Sequence, residues 1–295
     1  KTPDLLLMTA TPIPRTLTLT YFGDLDISTI RSMPPGRKPV ITHLARSANE
    51  RKVYEAVRKE LERGMQAYFV YPRIGDETGG AAESGGTVGG GAELKEAEAM
   101  GRYLHEEIFP EYRVEVIHSR VPEEEKSERM EAFVEGEASV LVATSVVEVG
   151  VDVPKATCMV IEHAERFGLA GLHQLRGRVG RSDRQSYAFL VYSDELTEEG
   201  KQRLMVMKRS SDGFEIAEED LKMRGPGEPA GSRQSGYLRL NFADLSRDLS
   251  LLEEARREAF TVATEDPGLL EPDHASLREI FNRCPPFSEE LFLGG

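Results

Sequence analysis

The chain has 295 residues, enough for about two domains that each bury a core. No apolar run nears the roughly 18 residues of a membrane span. Its net charge of −14 counts against a nucleic-acid binder without forbidding one, because salt screens each charge within about 8–10 Å and local clusters decide contact. Two cysteines, Cys158 and Cys284, stand far apart with no CxxC spacing, which fits a reduced cytosolic protein without a structural zinc site. The opening KTPDLLLMTATP reads as a strand inside a fold and not as a basic secretion signal. With Lys1 in place of an initiator Met, the chain is expected to be part of a longer protein.

In chain order, LLLMTA reads as a strand, followed by a turn at Thr11–Pro14, a short helix and the strand DISTIRSM, with MPPGRKP as a linker. Alternating units follow: strand VITHLA, helix NERKVYEAVRKELERG with Val53, Val57 and Leu61 at four-residue spacing, then strand QAYFVYP. Helix ELKEAEAMGRYLHEEIF leads to strand RVEVIH, and helix EEEKSERMEAFVEG to strand ASVLVAT; strands ATCMVIEHA and SYAFLVYS complete the set. Short apolar runs alternating with helical patterns imply a parallel sheet covered on both faces, one doubly wound α/β domain. The glycine-rich stretch 75–93 has no following Lys-Ser/Thr pair and reads as a flexible insertion rather than a phosphate loop. Beyond residue 195, ELTEEGKQRLMVMKRS and EIAEEDLKM form two short helices about Ser211-Asp212-Gly213, with Asp212 a candidate N-cap. MRGPGEPAGSRQSG is too rich in Gly, Pro and Ser for regular structure, and DLSRDLSLLEEARREAFTVA reads as a longer amphipathic helix before a tail rich in Pro and acid.

The chemistry concentrates in HQLRGRVGR, where Arg176, Arg178 and Arg181 lie within six residues, spaced by glycines. Such guanidiniums repel one another unless something negative sits among them. A nucleoside triphosphate is the natural partner, since arginine forks match phosphate oxygens and stay charged. A solvated turn paired with the acidic helices is the plain alternative. VLVATSVVEVGVDVP places Thr144 and Ser145 at the carboxyl end of a strand, where ligands sit in open α/β sheets. Their hydroxyls and backbone N–H groups suit a phosphate, while Glu148 and Asp152 add carboxylates. Equally, Thr144 serves as a cap, and Asp152 as the start of a turn before Pro154.

Thr9-Ala10-Thr11, ATSVVEVGVDVP and HQLRGRVGR resemble, in order, motifs III, V and VI of superfamily 2 helicases, and QAYFVYPRI resembles their motif IV region. IHSRVPEEEKSERMEAF is similar to the basic loop and helix that follow. DGFEIAEEDLKMRGPGEPAGSRQSG resembles the translocation motif of RecG-type DNA helicases and of the transcription-repair coupling factor, and RGPG followed by GSRQSG is closer to the RecG type. The resemblance covers about 1–250. It implies a RecA-like parallel sheet with helices on both faces plus a C-terminal helical hairpin and loop. Residues 1–34 would close a first RecA-like lobe, 35–195 form the second, and 196–295 carry the hairpin, loop and C-terminal helices.

The resemblance also implies roles. Arg178 and Arg181 would face nucleotide phosphates with Gln174 in support, and Gly150 and Asp152 would adjoin the nucleotide. Thr9 and Thr11 would couple hydrolysis to lobe movement. Thr144, Ser145, His118 and Arg120 would hold DNA backbone phosphates, and Arg224, Arg233 and Gln234 would belong to the translocation motif. The implied cofactors are ATP and Mg2+. The implied partners are branched double-stranded DNA, as forks and Holliday junctions, and single-strand-binding protein, in a cytoplasmic, nucleoid-associated setting with no membrane contact. No GxxxxGK[ST] loop and no Asp-Glu-x-His box occur in the chain; both are expected upstream of Lys1, so the chain alone is expected to be inactive. A transcription-repair coupling motor and a non-catalytic docking module of the same fold remain open alternatives.

Overall fold

The computed structural model describes residues 36–72, 90–144, 152–224 and 249–283, with Leu6, Met8, Ser28 and Ile30 as isolated positions. The described segments fall in two compact units, 36–224 and 249–283. In the first, six strands alternate with helices. They are β1 (Ile41–Arg46), β2 (Gln66–Tyr71), β3 (Val114–Ile117), β4 (Val140–Thr144), β5 (Ala156–Ile161) and β6 (Tyr187–Tyr192). The helices are α1 (Glu50–Leu61), α2 (Gly90–Tyr103), α3 (Glu123–Glu135), α4 (Leu169–Arg176), α5 (Glu198–Arg209) and α6 (Gly213–Arg224). Every strand pair is parallel, in the order β1-β6-β5-β2-β4-β3.

Parallel strands need crossovers, and the crossovers cover both faces. Alternate residues of each strand therefore enter different cores. Tyr68, Leu141, Ala143, Met159, Ile161 and Leu190 pack under α3, α4 and α5 through Phe133, Leu169, Leu172, Leu204 and Met207. Ala67, Phe69, Val142, Cys158, Val160 and Val191 pack under α1 through Val53, Tyr54, Val57 and Leu61. The four-residue spacing of Val53, Val57 and Leu61 thus marks the buried face of α1, as expected. Gly101 lets α2 lie against β3, since a Cβ there would fall 2.3 Å from Val116 Cγ2.

Three features depart from the sequence reading. The glycine-rich insert is shorter than expected: residues 90–93 already belong to α2, and 75–89 lie outside the described residues. HQLR, to which the sequence reading assigned no helix or strand, ends the eight-residue helix α4. Leu169, Leu172 and Leu175 give it a buried stripe that Gly168, Gly171 and Gly177 obscure in a propensity reading. In the second unit the amphipathic helix appears as α7 (Leu249–Glu265), but the tail then forms α8 (Ala275–Arg283). Asp266 organises the intervening turn: its carboxylate accepts from Leu270 N at 2.8 Å and Glu271 N at 2.9 Å, and lies 2.8 Å from His274 Nδ1. The strands expected in residues 1–34 lie outside the described residues apart from the isolated positions.

Candidate phosphate-binding loop and helical hairpin

α4 begins after β5, near the carboxyl edge of the sheet, and runs back against the strand direction. Its end therefore lies toward the amino edge. Gly180, four residues beyond α4, adopts φ 77°, and a Cβ there would fall 2.7 Å from Val40 Cγ2 and 4.0 Å from Ser186 Cβ, atoms that precede β1 and β6. Only glycine fits this close approach without strain. Thr144, by contrast, ends β4 at the carboxyl edge opposite Tyr71 and is buried. The arginine loop and the Thr144 turn therefore lie at opposite edges of the sheet, and not together at the carboxyl edge where ligands sit in open α/β sheets. Helical crossovers return the chain across the sheet, and residues that follow one emerge on the opposite edge.

The three arginines also part company. Arg181 remains partly open, its Nη1 3.7 Å from Asp152 Oδ1 and its Nε donating to Gly177 O at 3.4 Å. Arg178 is half-buried beside it. The Tyr68 phenol below senses this group: burial pushes it up to about 12, Arg178 and Arg181 oppose that rise, and Asp152 adds to it. Arg176 faces elsewhere. It is 5% exposed, and its Nη1 donates to Met207 O at 2.9 Å and Ser210 O at 2.8 Å. Burial lowers it to about 10, so it stays a cation at neutral pH. The expected triplet is a pair, Arg178 and Arg181, because the chain leaves α4 at Gly177, between the inward-facing Arg176 and the more open Arg178.

The other expected residues are placed as follows. Gln174 is exposed on α4, and Asp152 is exposed before β5. Arg120 is exposed after β3, while His118 is buried; its Nδ1 accepts from Arg120 N at 3.3 Å and its Nε2 lies 3.4 Å from Glu98 Oε1. Arg224 is the last residue of α6. Thr9, Thr11, Ser145, Gly150, Arg233 and Gln234 lie outside the described residues. Asp212 caps α6 as expected, its Oδ1 accepting from Phe214 N at 2.8 Å.

Two groups escaped the sequence reading. Glu162, just past β5, is 6% exposed, and its carboxyl is pushed up to about 7 by burial and then by Glu50, with His163 opposing. Glu165 accepts at Oε2 from Ser193 N at 3.3 Å, and its carbonyl accepts from Arg203 Nη2 at 3.1 Å, which holds α5 against the β5–α4 connection. An acidic residue directly after an apolar strand was the available signal for Glu162; nothing local marks the Arg203 contact.

The donor set suits an anion. Arg178 and Arg181 carry fork-shaped donors on a short loop, and the Arg181–Asp152 pair is long enough to yield to a better acceptor. Among the described residues no group of three or more His, Cys, Asp or Glu side chains is placed to hold a metal ion. None of the described helices is long and apolar enough to cross a membrane.

Comparison with known proteins agrees with this geometry. Residues 92–183 match the helicase conserved C-terminal domain, and 210–283 match the C-terminal part of domain 3 of the ATP-dependent DNA helicase RecG. RecG of Treponema pallidum is 54% identical over 271 residues, 91% of this chain and 38% of the relative. RecG of Thermotoga maritima is 46% identical over 280 residues, 95% of this chain and 34% of the relative. A solved structure of RecG bound to a three-way DNA junction is 48% identical and superposes with a TM-score of 0.62 over 83% of this chain and 30% of that one. The chain spans about a third of the length of the curated relatives it matches. By its motifs, its parallel sheet and these matches, it belongs to the RecG family and carries a RecA-like helicase C-terminal lobe joined to the C-terminal part of RecG domain 3.

Proposed function

We propose that this chain is the second RecA-like lobe and translocation segment of an ATP-driven DNA helicase that remodels branched DNA, through fork regression and Holliday junction branch migration. The observation that carries the proposal is the loop after α4, which presents Arg178 and Arg181, the latter beside Asp152, while α4 itself packs on the α5–α6 hairpin. We divide the chain at 1–34, 35–195 and 196–295, as the end of a first lobe, the second lobe, and the hairpin with its loop and C-terminal helices.

ATP with Mg2+ supplies the free energy for lobe closure and reopening. Arg178 and Arg181 grip phosphate oxygens and stabilise the charge spread over them during transfer, with Gln174 in support. Gly150 and Asp152 border the nucleotide, and Thr9 and Thr11 link it to lobe movement. The metal is held by residues other than the described ones of this chain. On the DNA side, Thr144, Ser145, His118 and Arg120 hold backbone phosphates, and His118 also shapes the turn that presents Arg120. Arg224, Arg233 and Gln234 act in the translocation motif. Contacts to phosphates make recognition follow junction shape rather than base sequence. RecG has been solved on a three-way junction, which supports branched DNA as the substrate. Single-strand-binding protein and a nucleoid setting complete the proposal.

The test is ATP hydrolysis by a RecG-family protein that carries this chain. Arg178→Ala should lower its DNA-stimulated ATPase by about 10³-fold or more, and the 295-residue chain alone should not turn ATP over. An unchanged ATPase in the variant, or brisk hydrolysis by the isolated chain, would end the proposal.

A further inference from the structure

Arg176 is a buried cation whose two hydrogen bonds end on backbone carbonyls, those of Met207 and Ser210. Those acceptors sit at a particular place. Met207 lies in the last turn of α5, and Ser210 is its C-cap. Helix ends leave carbonyls without intrahelical donors, and the negative end of the helix dipole points there. A guanidinium at that point satisfies two acceptors at once and meets favourable charge. A methionine would fill similar space and leave both carbonyls without their donor, and a lysine, without the rigid planar guanidinium, would have to bring its flexible ammonium to the one point where Nη1 meets both carbonyls.

The carbonyls Arg176 holds lead directly into the hairpin elbow. Ser210 Oγ accepts from Asp212 N at 3.1 Å, Asp212 Oδ1 accepts from Phe214 N at 2.8 Å, and Asp212 O accepts from Ile216 N at 3.1 Å. Ile216 is 2% exposed and packs into the same core as Leu172 and Leu175 of α4. Arg176 therefore grips the end of α5, and through Ser210 and Asp212 the start of α6. His173, one turn earlier on α4, faces the same elbow: burial lowers its imidazole pKa, Arg176 adds to that, and Asp212 opposes it.

At its other end Arg176 is two residues from Arg178, with Gly177 between them held by Gly177 N donating to His173 O at 3.0 Å. Leu169, Leu172 and Leu175 fix α4 to the sheet. So little slack separates the loop that presents Arg178 and Arg181 from the residue that grips the elbow. Burying a guanidinium is costly, and an apolar side chain of similar volume commonly gives equal or better stability. Stability alone is a poor reason to place an arginine here.

We infer that Arg176 is a positioning residue that passes displacement of the Arg178–Arg181 loop to the elbow of the α5–α6 hairpin, coupling events at the phosphates to movement of the translocation segment. The inference rests on the proposed motor function, and assigns Arg176 to the transmission and not to the phosphate site.

The test compares Arg176→Met and Arg176→Lys with wild type in a RecG-family protein that carries this chain, measuring DNA-stimulated ATPase and duplex separated per ATP consumed. Arg176→Met should keep the ATPase kcat within about threefold of wild type while separation per ATP falls about tenfold or more, and Arg176→Lys should fall between. Parallel loss of ATPase and separation, leaving their ratio unchanged, overturns the inference, as does an unchanged ratio at full activity. Arg178→Ala, run beside them, isolates the underlying proposal: retained ATPase in that variant defeats the motor and not merely the coupling. Should Arg176→Met fail to fold, amide exchange of the 295-residue chain decides. Arg176→Lys should speed exchange at Ser210, Phe214 and Ile216 by about tenfold and leave β4 and β5 unaltered. A uniform increase across the sheet, or none at the elbow, overturns the inference.

Discussion

Replacing Glu162 by Gln should stabilise the folded chain at high pH and lose that advantage at low pH. Glu162 N donates to Val70 O at 2.9 Å, which anchors the residue at the end of β5, while its Oε1 has no hydrogen-bond donor among the described residues. Burial is the main cause of its raised carboxyl pKa, and the Glu50 carboxylate adds to it. The sign follows from the direction of the shift. Below the ordinary value of 4.5 the carboxyl is protonated in folded and unfolded chains alike, and its contribution is fully present. As pH rises toward about 7 the unfolded chain ionises while the folded chain holds its proton, so stability drains away. The interval from 4.5 to about 7, at about 1.4 kcal/mol per tenfold change in proton affinity, amounts to about 3 kcal/mol. Glutamine keeps the shape and never ionises. Urea unfolding followed by far-UV circular dichroism suits a chain without Trp, run at several values from about pH 4.5 to 8. The Gln variant should gain about 3 kcal/mol over wild type across that range. A difference that does not vary with pH would refute both the burial of the charge and the direction of its shift.

Two further outcomes follow from packing. Gly180→Ala should cost about 1–3 kcal/mol, because its φ of 77° and the 2.7 Å approach to Val40 Cγ2 both resist a Cβ. Gly177→Ala, with φ −68° and its nearest neighbours at 3.4 Å, should fall well short of that, and equal losses in urea unfolding would contradict the loop geometry. Cys158 is fully buried, and burial pushes its thiol up to about 12. In a Cys284→Ser background a thiol reagent should modify it only as fast as the chain opens, with a rate that climbs with urea in step with unfolding. Rapid modification of the native chain would show that the α1 face of the sheet is not closed.

Much of the lobe was legible because its signals are local. β4 reads as VLVAT and β5 as ATCMVI, runs buried on both sides as strands between helical layers must be. Asp212 announced the start of α6 because a cap needs only the residues beside it. The arginine cluster was legible as chemistry but not as geometry. Arg176 and Arg178 are two residues apart, yet one is held by the carbonyls of Met207 and Ser210 at the end of α5 and the other lies by Tyr68. α4 itself was hidden by its glycines, and its helicity comes from three leucines docking on the sheet rather than from propensity.

By itself, then, the amino-acid sequence determined the alternation of strands and helices, the parallel sheet that alternation requires, and the ordered motifs that carry the family resemblance. Hydrophobic period and short-range turn chemistry act over a few residues and can be read along the chain. Only the tertiary structure decided which edge of the sheet the Arg178–Arg181 loop reaches, that Arg176 grips Met207 and Ser210, and that Glu162 is shut away with a proton it holds up to about pH 7. Burial and charge at those sites are set by partners brought from dozens of residues away, and no local pattern encodes which partner arrives.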